Sequence, residues 1–223
     1  MSLAEVSRRT GLPLSTASRL ISLLVDRGFV RRGPAGQGLV PGRWLEGVGI
    51  KALGGLKQSG RFDEHITRLA SEVGESISVA LLDFDRLLLI ARRESPHPLR
   101  MVAAVGDLLP PLRTAAGKAV LAFLPENRQL ALLAAAGEPN RSLGLLAGEL
   151  EDARRLGYAR DEEQFAVGLR CVAAPFFMAG GDPLGAISVG GPAARFTPEL
   201  AAAAIEPLRL QVRAISEELG HQH

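Results

Sequence analysis

The sequence predicts an α+β protein in two units: a small helical front end closed by a hairpin, and a larger domain whose antiparallel sheet carries helices on its faces. Three observations predict it. Apolar residues recur at helical spacing before residue 28 and at strand spacing just after it. Beyond residue 60 the order is strands, then helices, then a second strand pair and a closing helix, which is the order of an α+β domain. Charge divides at the same place. Residues 1–43 carry seven arginines against Glu5 and Asp26, a net of +5, while the other 180 residues carry 19 basic and 22 acidic side chains, a net of −3. A cationic front end on a mildly acidic body points to a polyanionic partner for the first unit.

Composition removes several classes. Cys171 is the single cysteine, so no intrachain disulfide and no Cys-rich zinc site is expected. His65, His97, His221 and His223 do not pair at a helical ligand spacing, and neither a metal nor a cofactor is expected. No apolar run reaches the roughly 18 residues of a membrane span. Arg8 and Arg9 interrupt any signal-like pattern at the start. The expectation is a soluble cytoplasmic protein with no membrane attachment.

Ser2 to Glu5 reads as a capping box, the Ser2 hydroxyl accepting from the Glu5 N–H and the Glu5 carboxylate reaching back. The helix it opens presents Leu3, Val6 and Ala4 and ends by Gly11. Pro13 then starts a second helix, Leu14 to Arg27, with Ala17, Leu20, Ile21 and Leu24 as one buried stripe and Gly28 as C-terminal cap. Its other face shows Ser15, Thr16, Ser18, Arg19 and Ser22. Phe29–Arg32 and Leu39–Val40 flank a Gly-rich loop as a short hairpin. Two helices, a tight turn and a wing describe a winged helix-turn-helix over 1–43, against the plainer alternative of a helical hairpin packed on the larger domain. In the first reading Ser15, Thr16 and Ser18 reach phosphates or base edges, Arg19 reads guanine or clamps a phosphate, and Arg31 and Arg32 neutralise backbone charge. A winged helix also has a helix ahead of this pair. The unit therefore reads as truncated, with Leu20, Ile21 and Leu24 needing cover from elsewhere.

Residues 44–60 read as a glycine-weakened connecting helix around Trp44, Leu45, Val48, Ile50, Leu53 and Leu56 that also pairs subunits. The larger domain, 61–223, opens with a helix from Phe62 to Val73. A half-buried strand with Ile77, Val79 and Leu81 follows, then Leu87–Ile90 and Leu99–Val102. Helices are expected at Ala115–Leu124, Glu126–Ala135 and Gly148–Leu156. Strands Leu169–Ala174 and Leu184–Val189 flank a turn at Gly180–Asp182. A last helix runs from Thr197 as N-cap to Leu219, kinked or split by Pro207.

Gly11–Leu20 resembles the helix-turn-helix of the IclR family of bacterial transcriptional regulators. Five more segments are similar to that family in the family's order: Glu94–Met101, Leu109–Ala119, Gly157–Glu163, Gly168–Pro175 and Ser188–Arg195. The resemblance implies a GAF-like effector-binding domain behind the winged helix, and a homodimer or dimer of dimers. It implies binding to double-stranded operator DNA under control of a small organic-acid or aromatic-acid effector, with repression or activation as the outcome. It matches Met101, Leu109 and Leu169 to apolar wall positions and Asp161, Cys171 and Ser188 to polar ones. Gly190 stands where some relatives have a second serine. From the residues, Thr114 as N-cap leaves the N–H groups of Ala115, Ala116 and Gly117 open to an anion. Asp161 is expected to accept from a ligand hydroxyl or hold a turn. Cys171 on its own reads as a small core residue more often than as a functional thiol, and Lys118 as solvated or paired with an acid. No nucleophile–base pair or phosphate loop is present, and Asp161–Glu163 reads as a solvated strand end, so catalysis is not expected. The alternative to a regulator is a small-molecule sensor acting through protein contacts. Effector binding is expected to move two DNA-reading heads through residues 44–60.

Overall fold

The computed structural model describes residues 2–33, 38–45, 62–83, 85–101, 103–136 and 140–221. The chain divides into two compact units, residues 1–58 and 59–223. Most of the predicted connecting helix, residues 46–60, lies outside the described residues.

In the first unit, helix α1 spans Leu3–Thr10 and α2 spans Leu14–Asp26. The Ser2 hydroxyl accepts from the Glu5 N–H at 3.2 Å, as one half of a capping box requires. The other half is not formed, because Arg8 and Arg9 both donate to the Glu5 carboxylate and draw it toward the helix body. Gly11 sits at φ 68°, the left-handed conformation that lets the chain reverse into α2. Strands β1 (Val30–Arg32) and β2 (Leu39–Pro41) pair antiparallel. Gly42 then returns against the end of α2, where a Cβ would lie 2.1 Å from the Gly28 carbonyl oxygen. Only half of the predicted α2 stripe is buried. Ala17 and Ile21 are covered, whereas Leu20 is 43% and Leu24 41% exposed. The stripe is wider than the cover that α1 and β1 offer it.

The second unit holds a six-stranded antiparallel sheet. In chain order its elements are α3 (Asp63–Val73), β3 (Ser76–Asp83), β4 (Arg86–Arg93), β5 (Leu108–Leu109), α4 (Ala115–Leu121), α5 (Glu126–Ala136), α6 (Asn140–Leu156), β6 (Ala159–Glu162), β7 (Leu169–Phe177), β8 (Pro183–Pro192), α7 (Pro198–Ala203) and α8 (Ile205–Glu218). The strand order is β5-β4-β3-β8-β7-β6. Leu169, Cys171 and Ala173 point to one face and pack with α4, α5 and α6. Val172, Ala174 and Phe176 point to the other and pack with α3, α7 and α8. Both faces are therefore covered, and Ser76 and Ser78, which alternation placed on an open side of β3, are buried too.

Three more expectations change. Residues 99–101 form no strand, since Arg195 and Arg92 take the carbonyls of Leu99 and Met101 that a ladder would use. β5 pairs with β4 instead, Leu87 opposite Leu109. Helix α6 begins eight residues before Gly148, and Leu146, Leu150 and Ala153 carry its buried stripe across that glycine. At the end of the chain Pro207 does split the helix, with the break at Ala204 between α7 and α8.

Candidate functional site

On the α4 side of the sheet the packing leaves a cavity of about 160 Å³. Its apolar wall is Leu89, Met101, Ala103, Leu109, Phe165 and Leu169, and its polar wall includes Ser78, Arg92, Thr114, Asp161, Cys171 and Ser188. Ala115 and Ala116, at the start of α4, complete one side. Eight residues singled out from the sequence thus come together: Met101, Leu109, Ala115, Ala116, Asp161, Leu169, Cys171 and Ser188.

Gly117 and Gly190 do not line the space. A Cβ at Gly117 would lie 1.9 Å from the Pro111 carbonyl oxygen, so this glycine lets α4 dock on the preceding turn. Its N–H, expected to be open, donates to Thr114 Oγ1 at 3.2 Å, because the N-cap hydroxyl reaches the third helical amide. The N–H groups of Ala115 and Ala116 remain ahead of the helix's own hydrogen-bond ladder. Gly190 pairs with Cys171 across β7 and β8, and a Cβ there would lie 2.6 Å from Cys171 Sγ. The glycine makes room for the thiol.

Asp161 is 1% exposed, which overturns its reading as part of a solvated strand end. Along β6, Ala159 and Asp161 turn inward while Arg160 and Glu162 turn out. Asp161 Oδ1 accepts from the Gln164 and Phe165 N–H groups at 2.8 and 3.2 Å, holding the turn that brings Phe165 over the cavity. Burial raises its pKa above the ordinary carboxylate value, while those two backbone donors pull the other way. Cys171 is likewise buried, and desolvation pushes its thiol up to about 12. It is a neutral wall group with no thiolate character near neutral pH.

The turn after β6 is clamped from α4 and from the turn just before it. Arg113 donates twice to the Gln164 carbonyl oxygen, at 2.9 and 2.6 Å. Lys118, 1% exposed, donates to Glu149 and to the Gln164 side chain. It is paired with an acid, but far from solvated. It supports the cavity and does not line it.

Arg92 is the residue that sequence reasoning missed. Its Nη1 donates to Ser78 Oγ at 2.9 Å and its Nη2 to the Met101 carbonyl oxygen. Its Nε is buried and has no hydrogen-bond partner among the described residues. Burial lowers its pKa from the ordinary arginine value, with Glu94 opposing the shift. Leu89 and Arg92 lie an odd number of residues apart, so in a regular strand they would face opposite ways. Val79 pairs with Ala91 and Ala80 with Leu89, leaving Ile90 as an extra residue, and this bulge returns Arg92 to the cavity face.

In the first unit Ser15 and Arg19 are exposed on α2, and Thr16 and Ser18 are half-buried. Arg31 and Arg32 are both exposed on β1. As neighbours in a strand they point to opposite sides of the two-stranded ribbon, so only one of them shares a given surface. Among the described residues no group of three His, Cys, Asp or Glu side chains is placed to hold a metal ion. No described helix is long and apolar enough to cross a membrane.

Residues 51–217 match the family model of the bacterial transcriptional regulator IclR C-terminal domain, and residues 1–34 that of the IclR helix-turn-helix domain. The transcriptional repressor IclR of Escherichia coli K12 is 33% identical over 210 residues, covering 88% of this chain and 75% of that protein. The HTH-type transcriptional repressor AllR of Klebsiella pneumoniae is 32% identical, covering 98% of this chain and 83% of that protein. Among solved structures, the IclR of Thermotoga maritima superposes with a TM-score of 0.72 at 29% identity, covering 99% of this chain and 92% of that one. An IclR transcriptional regulator of Silicibacter sp. TM1040 gives 0.81 at 25% identity, covering 100% and 90%.

Proposed function

Because the chain belongs to the IclR family of transcriptional regulators, of which the Escherichia coli and Klebsiella pneumoniae relatives compared above are transcriptional repressors, we propose that its operator binding is controlled by a small organic acid held in the cavity beside α4. Residues 1–43 act as the DNA-binding head, 44–60 as the connecting segment and 61–223 as the effector domain. The observation that carries the effector half is the cavity itself. It is a space of about 160 Å³ whose wall combines apolar side chains with a guanidinium, two serine hydroxyls and the first amides of α4. Such a wall surrounds a small anion with donors and its hydrocarbon part with apolar surface.

At the head, Ser15, Thr16, Ser18 and Arg19 are the base-edge and phosphate contacts of α2, with whichever of Arg31 and Arg32 faces the same surface adding a phosphate contact from the ribbon. Two copies of the chain place two heads on successive half-sites, as a twofold operator requires. The effector changes this placement only to the extent that it binds one arrangement better than the other. Bacterial operators place this work in the cytoplasm.

The test is fluorescence anisotropy on operator DNA selected from a random pool by the purified full chain, titrated with and without a panel of small organic acids. A saturating acid is expected to change operator affinity at least fivefold. Arg19→Ala is expected to cost roughly 1–3 kcal/mol of operator affinity if its guanidinium reads a base. Acid binding without any selectable DNA would favour a sensor acting through protein contacts, for which the exposed Leu20, Leu23 and Leu24 on α2 offer a surface.

A further inference from the structure

We propose that the groove between α8 and the end of β7 is a second ligand site, which holds the extended chain of a medium-length fatty acid with its carboxylate on Arg213. The groove shares no lining residue with the cavity beside α4. The proposal therefore does not depend on what that cavity binds.

The groove has a volume of about 310 Å³, nearly twice that of the cavity. One wall is α8, from Glu206 to Ser216, and the facing wall is built by Phe123, Gly157, Pro175 and Phe177. Ten residues of α-helix rise roughly 15 Å, so the space is long and narrow. Leu210 stands within it, 59% exposed, as apolar surface that a chain laid along the helix would cover.

The two ends differ in polarity. At the Ser216 end the polar side chain is already spent. Ser216 Oγ accepts from the Phe177 N–H at 3.0 Å and donates to the Val212 carbonyl oxygen at 2.7 Å. Phe177 and Phe123 meet edge to face there, with ring centres 5.2 Å apart. This end suits hydrocarbon.

The other end carries the charge. Arg209 Nη1 donates to Glu206 at 2.9 Å and its Nη2 to the Leu156 carbonyl oxygen, so that pair is neutral and committed. Arg213 is exposed and has no hydrogen bond or ion pair among the described residues. It is the uncompensated charge of the lining, and a guanidinium matches the two oxygens of a carboxylate. Long side chains on a helix lean toward the preceding turn, which brings the Arg213 head toward the level of Arg209.

Length selects among anions. From the level of Arg209 to Ser216 is roughly 10 Å along the helix. An extended decanoate spans that distance, whereas butanoate and benzoate stop short of Phe177. A free fatty acid of this length fits the charge at one end, the apolar surface at the other and the narrow path between them.

Binding to the full chain is measured by calorimetry with straight-chain carboxylates from butanoate to dodecanoate, with benzoate and with decanol, each below its micelle concentration. A fully buried methylene raises affinity roughly fourfold. A groove open on one side secures about half of that free energy, so roughly twofold per methylene is expected. The rise should end near decanoate, where the chain reaches Ser216. Decanoate is expected to bind roughly tenfold tighter than decanol, and Arg213→Gln should remove that difference. Leu210→Asp should weaken decanoate by roughly tenfold or more. Both residues are exposed, so both variants should unfold at the wild-type temperature when no ligand is present. A decanoate with a photoreactive diazirine at its tail should label the peptides that hold Phe123 or Phe177. The proposal is overturned if decanoate does not bind, or if benzoate binds as tightly. Affinity that keeps rising past decanoate, as unspecific partitioning does, overturns it too. So does decanoate binding that neither substitution changes, or a label that falls outside the groove.

Discussion

Replacing Gly190 by alanine tests whether this glycine exists to accommodate Cys171. The new Cβ would lie 2.6 Å from Cys171 Sγ, about 1 Å inside ordinary van der Waals contact. Its other near neighbours, the Arg170 carbonyl oxygen at 3.5 Å and Cys171 Cβ at 3.6 Å, are at ordinary contact distances. The conflict is thus with one atom. Overpacking of this kind costs about 1–3 kcal/mol, and the alanine recovers about 0.4–1 kcal/mol by restricting the unfolded chain. In the wild type the balance is neutral to destabilising, by up to about 2.6 kcal/mol. In a Cys171→Ala background the offending atom is gone, and the same substitution should become neutral or stabilise by up to about 1 kcal/mol. A change of sign between backgrounds is the signature. For a domain of this size 1 kcal/mol moves the unfolding midpoint by about 2–4 °C, so urea titrations and thermal scans of the four proteins resolve it. If Gly190→Ala costs the same in both backgrounds, within the roughly 0.5 kcal/mol expected of uncoupled sites, the thiol is not what the glycine serves.

Two further outcomes follow from the same geometry. Gly117→Ala gains up to about 1 kcal/mol in helix propensity, yet its Cβ would sit 1.9 Å from the backbone oxygen of Pro111; because backbone cannot swing aside, the variant should lose about 3 kcal/mol or more, and a raised unfolding midpoint would contradict the docking of α4 described above. Asp161 has a native pKa above its ordinary value of 3.8, with burial as the leading cause. The folded state therefore binds more protons than the unfolded state between those two values, and the wild type should gain stability relative to Asp161→Asn as pH falls through the native pKa toward 3.8. Parallel stability profiles for the two proteins from pH 8 to pH 4 would remove the buried carboxylate as the cause.

The elements visible in the sequence were those whose signals are local. Ser2 and Gly11 bound α1 through a hydroxyl and a left-handed residue. Thr197 caps α7, and Pro207 splits the closing helix. Each depends on neighbours within a few positions, and chain chemistry is enough to read it. The α2 stripe shows where this stops. Periodicity identifies Ala17, Leu20, Ile21 and Leu24 as one face, but coverage depends on what lies opposite, and only Ala17 and Ile21 are covered. Residues 99–101 fail for a related reason. Their strand character is overridden by Arg92 of the preceding strand and Arg195 of the turn after β8, which bind two of their carbonyls. Lys118 reads from sequence as solvated or paired with an acid, and only the fold decides between the two, because Glu149 and Gln164, which hold it when buried, are far away in sequence.

The candidate site divides along the same line. Its backbone-defined part, the start of α4 after Thr114, follows from a cap signal and was legible. Its charge was not, because it depends on a change of phase in β4. Leu87 to Ile90 is a continuous apolar run with no alternation to set its phase, and a regular strand that faced Leu89 to the cavity would face Arg92 to α3. One unpaired residue at Ile90 reverses the parity of everything after it. Nothing in the side chains of that run announces the bulge, since the extra residue is defined only by its absence of a pairing partner on β3. Arg92 is thereby moved from the face packed by Ile66 and Leu208 to one where Ser78 and Met101 hold it in place. Deleting Ile90 should return the arginine to the apolar face, so its effect on folding should far exceed that of Ile90→Ala, which leaves the phase intact. Comparable stabilities for those two variants would mean that β4 can carry Arg92 into the cavity without the bulge.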